Sequence, residues 1–184
     1  MIASIYEPRE DSFFLAEILK KYLTHKKRST TILDMGTGSG ILAKTALDSS
    51  FAHITAVDIN IKAVEQAKKQ GLEAMRSNLF SHLKSIKYNL ILFNPPYLPD
   101  DKREPKESKL QTTAGKKGYE IITQFLEQSK NHIKKQGKIL LLFSSLSKPH
   151  IILKKARQMK YQYEMQASKK LFFEELFVYE FWKY

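Results

Sequence analysis

Apolar segments typical of buried strands alternate with amphipathic helical segments along most of this 184-residue chain. Such an alternation is typical of an α/β domain in which helices cover a largely parallel sheet. The length suits one domain with one substantial core, so we expect residues 1–184 to form a single domain. The predicted strands are TTILDMG, HITAVDI, LEAMRS, YNLILFN, GKILLLFSS and, as a final pair, YQYEMQAS and ELFVYEFWK.

Helical patterns lie between these strands. Residues 12–23 carry apolar side chains at a spacing of four, and Asp11 or Ser12 is expected to cap this helix. We predict another helix over 118–135, and an irregular charged lid or binding loop over 98–117. The remaining predicted helices are SGILAKTALDSS, IKAVEQAKKQG and KPHIILKKARQMK.

Composition excludes several classes of protein. The chain has no cysteine, which rules out disulfides and thiolate metal sites, and its five histidines form no metal-spaced pair. No apolar run approaches the ~20 residues of a membrane span, and the amino terminus lacks the pattern of a secretory signal. We therefore expect a cytoplasmic protein without a structural metal.

The net charge is strongly positive, with 31 basic against 19 acidic residues and a balance of +12. Such a charge can steer a protein toward nucleic acid or a ribonucleoprotein. Scattered pairs such as Lys68-Lys69, Lys134-Lys135 and Lys154-Lys155 can equally be solvated helix faces. Charge alone therefore leaves the partner open.

A glycine-rich turn, LDMGTGSG, joins the first predicted strand to its helix, with glycines at 36, 38 and 40. Glycine lets the backbone turn sharply and approach a ligand, and the helix that follows offers free N–H groups. Asp58 ends the second strand, 18 residues after Gly40, where a carboxylate can bind both hydroxyls of a ribose. Together these features predict a nucleoside site. A dinucleotide loop would require glycine or alanine at Ile41, and the Gly-Lys-Ser/Thr of a phosphate loop is missing.

The pattern D-x-G-x-G-x-G at residues 34–40 resembles motif I of class I S-adenosylmethionine-dependent methyltransferases. The resemblance implies a Rossmann-like, seven-stranded, mostly parallel sheet with an antiparallel strand pair at the carboxyl end, and S-adenosyl-L-methionine as cofactor. It also implies that Asp34 positions the methionine ammonium and that Asp58 holds the ribose. In RSNLF, where this family usually contacts adenine with Asp, the chain has Asn78. The cofactor-binding residues so implied are Ser12, Asp34, Gly36, Gly38, Gly40, Asp58, Ile59, Asn78, Leu79 and Asn94.

The fourth predicted strand runs directly into Asn-Pro-Pro-Tyr. This motif resembles the one that many methyltransferases use on a planar nitrogen, whose delocalised lone pair is a poor nucleophile. The Asn94 side-chain oxygen and the Pro95 carbonyl can each accept one N–H of a target NH₂ group, and Tyr97 can stack on its planar group. The prolines restrict the backbone, so both acceptors are preset. We therefore expect Asn94, Pro95 and Tyr97 to be the catalytic residues.

Three substrates fit such a motif: adenine N6 in DNA, guanine N2 in RNA and glutamine in protein. The amino-terminal segment YEPREDSFFLAEIL resembles the start of the short HemK-type methyltransferases of archaea and eukaryotes, as do AGKKGYEII and LFFEELFVYEF. The resemblance implies methylation of the glutamine in the Gly-Gly-Gln motif of class 1 release factors. It also implies that Ser12 contacts the methionine end of the cofactor, and that Glu10 and Asp11 order residues 1–24 over the pocket. A nucleic-acid methyltransferase and a non-catalytic binding subunit are the alternatives.

Eukaryotic and several archaeal members of this group work with a small zinc-binding activator that pairs along an edge strand. Here that strand would be EAMRS, with the contact near Ala74–Arg76. An unpaired edge strand invites such augmentation, which makes the activator a candidate partner beside the release factor. We expect no membrane partner.

Overall fold

The computed structural model describes residues 5–98 and 117–183, which form a sheet with helices on both faces. The strands are β1 Ile32–Met35, β2 Ile54–Asp58, β3 Glu73–Arg76, β4 Tyr88–Phe93, β5 Ile133–Ser144, β6 Gln162–Lys170 and β7 Glu175–Trp182. The helices are α1 Glu10–Leu23, α2 Ile41–Asp48, α3 Ile61–Lys69, α4 Glu120–Ser129 and α5 Pro149–Gln158, with a 3-10 turn at Ser145–Ser147.

The seven strands are arranged in the order β3-β2-β1-β4-β5-β7-β6. The pairs from β3 to β5 are parallel, whereas β7 runs antiparallel to both β5 and β6. This topology confirms the predicted α/β fold class, including the antiparallel strand pair at the carboxyl end. Within the described part of the chain, no helix is long and apolar enough to cross a bilayer.

Period-two alternation along the central strands builds a core on each face of the sheet. Leu90 and Leu92 of β4 face the core formed with α1, α2 and α3. Ile91 and Phe93 face the opposite core, formed with α4 and α5. Because both faces are covered, these strands are continuous apolar runs, as expected for a parallel sheet.

The first helix starts earlier than predicted. Its N-cap is Arg9, whose carbonyl accepts the Phe13 N–H at 3.0 Å, and no described side chain caps it. The prediction that Asp11 or Ser12 is the cap is therefore wrong. Both residues lie inside the first turn and are buried. Their polar groups do not cap the helix because they accept hydrogen bonds from the Asn94 side chain instead.

The helix predicted over 118–135 is shorter in the structure and ends at Ser129. Tyr88 donates its N–H to the His132 carbonyl at 2.8 Å and pairs with Ile133, so the chain enters β5 at that point. Sheet pairing thus overrides the local helical pattern. Most of the predicted lid at 98–117 lies outside the described residues.

Candidate active site

The carboxyl ends of β1, β2 and β4 meet at one edge of the sheet. Met35 is paired with Val57 on one side and with Phe93 on the other, so the loops that follow these strands are neighbours. Ligands of open α/β sheets bind at such an edge. A cavity of about 1390 Å³ lies there, and the start of α1 and the β6–β7 turn contribute to its wall.

The glycine loop forms the floor of this cavity. Gly36 has φ of +65°, and a Cβ atom there would lie 3.3 Å from the Phe93 ring. Gly38 has φ of +53° and donates its N–H to Asp58 Oδ2 at 2.8 Å. A side chain at either position would strain the backbone and reduce the room for a ligand above the glycine loop.

Asp58 is held in place at the end of β2. Its Oδ1 accepts the Asn60 N–H at 2.8 Å, so the carboxylate joins the glycine loop to the start of α3. Burial raises the pKa of Asp58, and the backbone N–H groups partly offset this effect. The carboxylate therefore has a fixed orientation on the cavity wall before any ligand binds.

Asp34 is completely buried beneath the glycine loop and is not part of the cavity wall. Its Oδ2 accepts the Thr37 hydroxyl at 2.7 Å and the Ala43 N–H at 3.2 Å. Its Oδ1 has no hydrogen-bond partner among the described residues. Burial raises the pKa of Asp34 to about 7, so near neutrality this carboxyl group exchanges between its charged and neutral forms.

This burial gives a testable pH dependence. Between the ordinary pKa of about 4 and the raised value, the folded protein holds a proton that the unfolded chain has lost. Asp34 should therefore lower the free energy of unfolding as pH rises from about 4 to about 7. Asp34→Asn keeps one acceptor oxygen and carries no charge. In the cofactor-free protein, we expect its free energy of unfolding relative to wild type to be higher at pH 8 than at pH 5 by on the order of a few kcal/mol. Urea unfolding of both proteins at the two pH values measures this gain, and an equal difference at both would contradict it.

The Asn94 side chain after β4 has a defined orientation. Its Nδ2 donates to Asp11 Oδ2 at 2.9 Å and lies 3.4 Å from the Ser12 hydroxyl. Asp11 is fixed in turn by the Tyr6 hydroxyl, which donates to Oδ1 at 3.1 Å. Because the amide nitrogen faces Asp11, the opposite atom, Asn94 Oδ1, is a buried acceptor without a partner among the described residues.

The rest of the Asn-Pro-Pro-Tyr turn is anchored from the 3-10 turn that follows β5. The Ser147 hydroxyl donates to the Tyr97 carbonyl at 2.9 Å, and Ser147 itself is completely buried. The Tyr97 side chain is half-buried between the two cores. Burial, followed by the charge of Asp11, raises the pKa of Tyr97, so its hydroxyl is neutral at physiological pH. The ring therefore presents an uncharged face to the cavity.

Most of the predicted site residues come together on this wall. The remaining two, Asp34 and Gly40, lie behind it, and Gly40 is the N-cap of α2. The wall also includes Tyr6 and Glu174, to which the sequence motifs assigned no role. The predicted residues on the wall are Ser12, Gly36, Gly38, Asp58, Ile59, Asn78, Leu79, Asn94, Pro95 and Tyr97.

The cavity fits the S-adenosylmethionine that the resemblance implies. An adenosine group needs a carboxylate for its ribose and an apolar surface for its base, and Asp58 is followed by Ile59, which is 50% exposed on the wall. Asn78 is exposed beside them, and the adjacent Leu79 adopts an unusual φ of +48°. Positive φ at a residue other than glycine costs energy and is concentrated at functional sites. The roles of the individual residues stay predictions.

Comparison with known proteins shows the family of this chain. Residues 11–171 match the Methyltransferase small domain family. A relative from Methanocaldococcus jannaschii, whose provisional name is protein N5-glutamine methyltransferase, is 34% identical over 97% of this chain and 92% of its own length. The release factor glutamine methyltransferase of Fusobacterium nucleatum is 34% identical over 56% of this chain but only 32% of its own length.

The fold is shared with solved structures. The E. cuniculi Mtq2-Trm112 complex, responsible for the methylation of the eRF1 translation termination factor, contains a chain that superposes with a TM-score of 0.78. The match covers 98% of this chain and 99% of that one at 23% identity, and at that identity it establishes the fold alone. The family match and the Methanocaldococcus relative establish more. This chain belongs to the methyltransferase small domain family and is an S-adenosyl-L-methionine-dependent methyltransferase.

Proposed function

We propose that this methyltransferase modifies the side-chain amide of the glutamine in the Gly-Gly-Gln motif of a class 1 translation release factor. The orientation of Asn94 carries the chemical part of this proposal. A buried acceptor without a partner is costly, and a ligand that donates an N–H relieves that cost. A planar NH₂ group is such a donor. Since the proposed substrate acts on the ribosome, we infer a cytoplasmic location.

The chain's own residues would position the amide for attack. Asn94 Oδ1 accepts one N–H of the target, the Pro95 carbonyl accepts the other, and the Tyr97 ring lies against the planar group. These contacts engage both protons of the target NH₂ group and direct the nitrogen lone pair at the methyl carbon. Such alignment lowers the activation free energy of methyl transfer substantially. S-adenosylmethionine, when bound, would supply an electrophilic methyl group and leave as S-adenosylhomocysteine. The methylated nitrogen would then lose its surplus proton, so a strong base is not required beforehand.

Asp58, Ile59, Asn78 and the glycine loop would hold the adenosine part of the cofactor, with Ser12 near its methionine end. We expect Asp58→Ala to raise the cofactor dissociation constant at least tenfold, about 1.4 kcal/mol, because it removes the ribose acceptor and also releases the Gly38 N–H. Calorimetric titration with S-adenosylmethionine measures this change. Asp48→Ala, on an exposed surface of α2, is the matched control, and an unchanged titration for Asp58→Ala would remove Asp58 from the ribose site.

The charge of the cavity favours a polypeptide over a nucleic acid. Although the chain carries +12, the described residues of the wall include five acids and two arginines and no lysine. The basic pairs Lys68-Lys69 and Lys154-Lys155 lie on α3 and α5 instead. A carboxylate-rich wall repels phosphates and attracts N–H donors. The acids are Glu10, Asp11, Asp58, Glu120 and Glu174, and the arginines are Arg9 and Arg76.

A small zinc-binding activator is the proposed second partner. In the described residues β3 is an edge of the sheet, paired with β2 on one side. Ala74 is buried, Met75 is half-buried and Arg76 is exposed there, which suits the addition of a strand from another protein. If the isolated chain is monodisperse and the activator leaves the rate of methyl transfer unchanged, the proposed interaction with this activator is wrong.

Transfer of labelled methyl groups tests the function directly. The substrates are a class 1 release factor, the same factor with its tip glutamine changed to alanine, and mixed DNA and RNA, each with and without the activator. We expect label in the first substrate and none in the second. Label only in nucleic acid would instead favour a DNA adenine or RNA guanine methyltransferase, to which the overall charge also points.

A further inference from the structure

The turn between β6 and β7 carries two unusually exposed aromatic side chains. Phe172 is 90% and Phe173 84% exposed, more than any other large apolar side chain in the described residues. Their rings are perpendicular, with centroids 4.5 Å apart, and the Leu171 N–H donates to the Glu174 carbonyl at 2.8 Å to close the turn. An adjacent pair of solvated rings is an unfavourable surface in water and marks a contact site.

This turn, residues 171–174, adjoins the catalytic cavity. Leu171 and Glu174 are part of the cavity wall. The Glu174 atom Oε2 is buried and has no hydrogen-bond partner among the described residues. Burial first, and then nearby charges that include Glu174, raise the pKa of Tyr97. A buried acceptor without a described partner therefore belongs to the same cavity wall as Tyr97, on whose ring the target amide is expected to stack.

The turn and the Asn-Pro-Pro-Tyr segment are held by the same short 3-10 helix. Glu175, directly after the turn, donates its N–H to the Ser145 hydroxyl at 3.0 Å. Ser147, at the other end of that helix, donates to the Tyr97 carbonyl. The backbone at the end of the turn is thus tied through this 3-10 helix to the backbone of the Asn-Pro-Pro-Tyr segment.

We propose that the 171–174 turn docks the polypeptide that carries the target amide. Phe172 and Phe173 cover apolar groups of the substrate outside the cavity, and Glu174 accepts an N–H from its main chain at the cavity entrance. This inference rests on the proposed function. A polypeptide is favoured because an N–H donor satisfies the Glu174 acceptor, whereas a phosphate would be repelled by it.

Kinetics with the intact release factor test the docking role. In the double variant Phe172→Ser, Phe173→Ser we expect KM for the factor to rise about tenfold or more, with kcat within twofold of wild type and an unchanged cofactor dissociation constant. A short glutamine peptide that reaches only the cavity should be methylated equally by both proteins. The matched control is Ile86→Ser, which replaces a 49% exposed apolar residue in the loop before β4, at the opposite end of that strand, and should alter neither constant.

The outcomes separate the two proposals. If wild type methylates the factor and the double variant keeps the same KM, the docking role is overturned and the function stands. A rise in KM for the short peptide or in the cofactor dissociation constant would indicate a damaged cavity and overturn docking as well. Docking would also be overturned if gel filtration showed that the rings join two copies of the chain and KM stayed constant in the double variant. No transfer by wild type to the factor, either with or without the activator, would overturn the function, and this inference with it.

Discussion

Replacing Asn94 with alanine is expected to slow methyl transfer by about 10²–10³-fold while S-adenosylmethionine binds with nearly its original affinity. The acceptor Oδ1 is buried, without a partner among the described residues and oriented by the Nδ2 contact to Asp11, so the amide does not have to flip to accept from the target. Its loss removes an interaction that is strongest when the nitrogen is being methylated. Single-turnover rates and calorimetric titration with the cofactor measure the two quantities separately.

Asn131→Ala is the matched control, since it removes an exposed asparagine that is not part of the cavity wall. It should leave both the rate and the affinity unchanged. Equal losses of rate and affinity in Asn94→Ala would show that Asn94 is mainly a cofactor ligand. A rate close to that of wild type would remove it from catalysis.

Asp11→Ala is expected to give the second largest effect, a loss of roughly 10–10²-fold in kcat. Asp11 accepts the Asn94 amide N–H and the Tyr6 hydroxyl, and without it the Asn94 amide is free to turn its nitrogen toward the target. We therefore expect Asp11 to be a positioning residue that acts through Asn94. Glu17→Ala, which removes an exposed acid from the same helix, is the control and should have no effect on kcat.

A double-mutant cycle distinguishes positioning from general damage. In the Asn94→Ala background, Asp11→Ala should cause little further loss of kcat, because the side chain that it orients is already gone. Additive losses would mean that Asp11 acts by another route, such as folding of the amino-terminal segment. Melting temperatures of all four proteins should be recorded beside the rates, so that a loss of folded protein is not mistaken for a loss of catalysis.

Most of the fold could be predicted from the sequence because its determinants are local. Each predicted strand overlaps a strand of the structure, although β5 begins four residues before its predicted segment and β6 ends two residues after its own. The fourth predicted strand, YNLILFN, contains β4, whose alternating side chains enter the two cores. The errors lie at element ends, where local preference competes with pairing. Residues 133–135 follow a helical pattern, yet they become strand because Ile133 pairs with Tyr88, 45 residues earlier in the chain.

The candidate site was predictable to a similar extent. Glycines, an acid after a strand and an amide before two prolines are recognisable because each meets a requirement of its own backbone position. Neither Ser147 nor Glu174 has such a signature. Ser147 matters only because the 3-10 turn after β5 places it at the Tyr97 carbonyl, and Glu174 only because the β6–β7 turn forms part of the cavity wall.

The sequence by itself therefore determined the order of strands and helices along the chain, the glycine loop and the identity of the amide that is proposed to be catalytic. These features depend on side-chain periodicity and on backbone restrictions that act over a few residues. Only the tertiary structure decided which way that amide points. The contact from Asn94 to Asp11 joins residues 83 positions apart, and a hydrogen bond across such a separation forms only after the sheet has brought α1 over the end of β4.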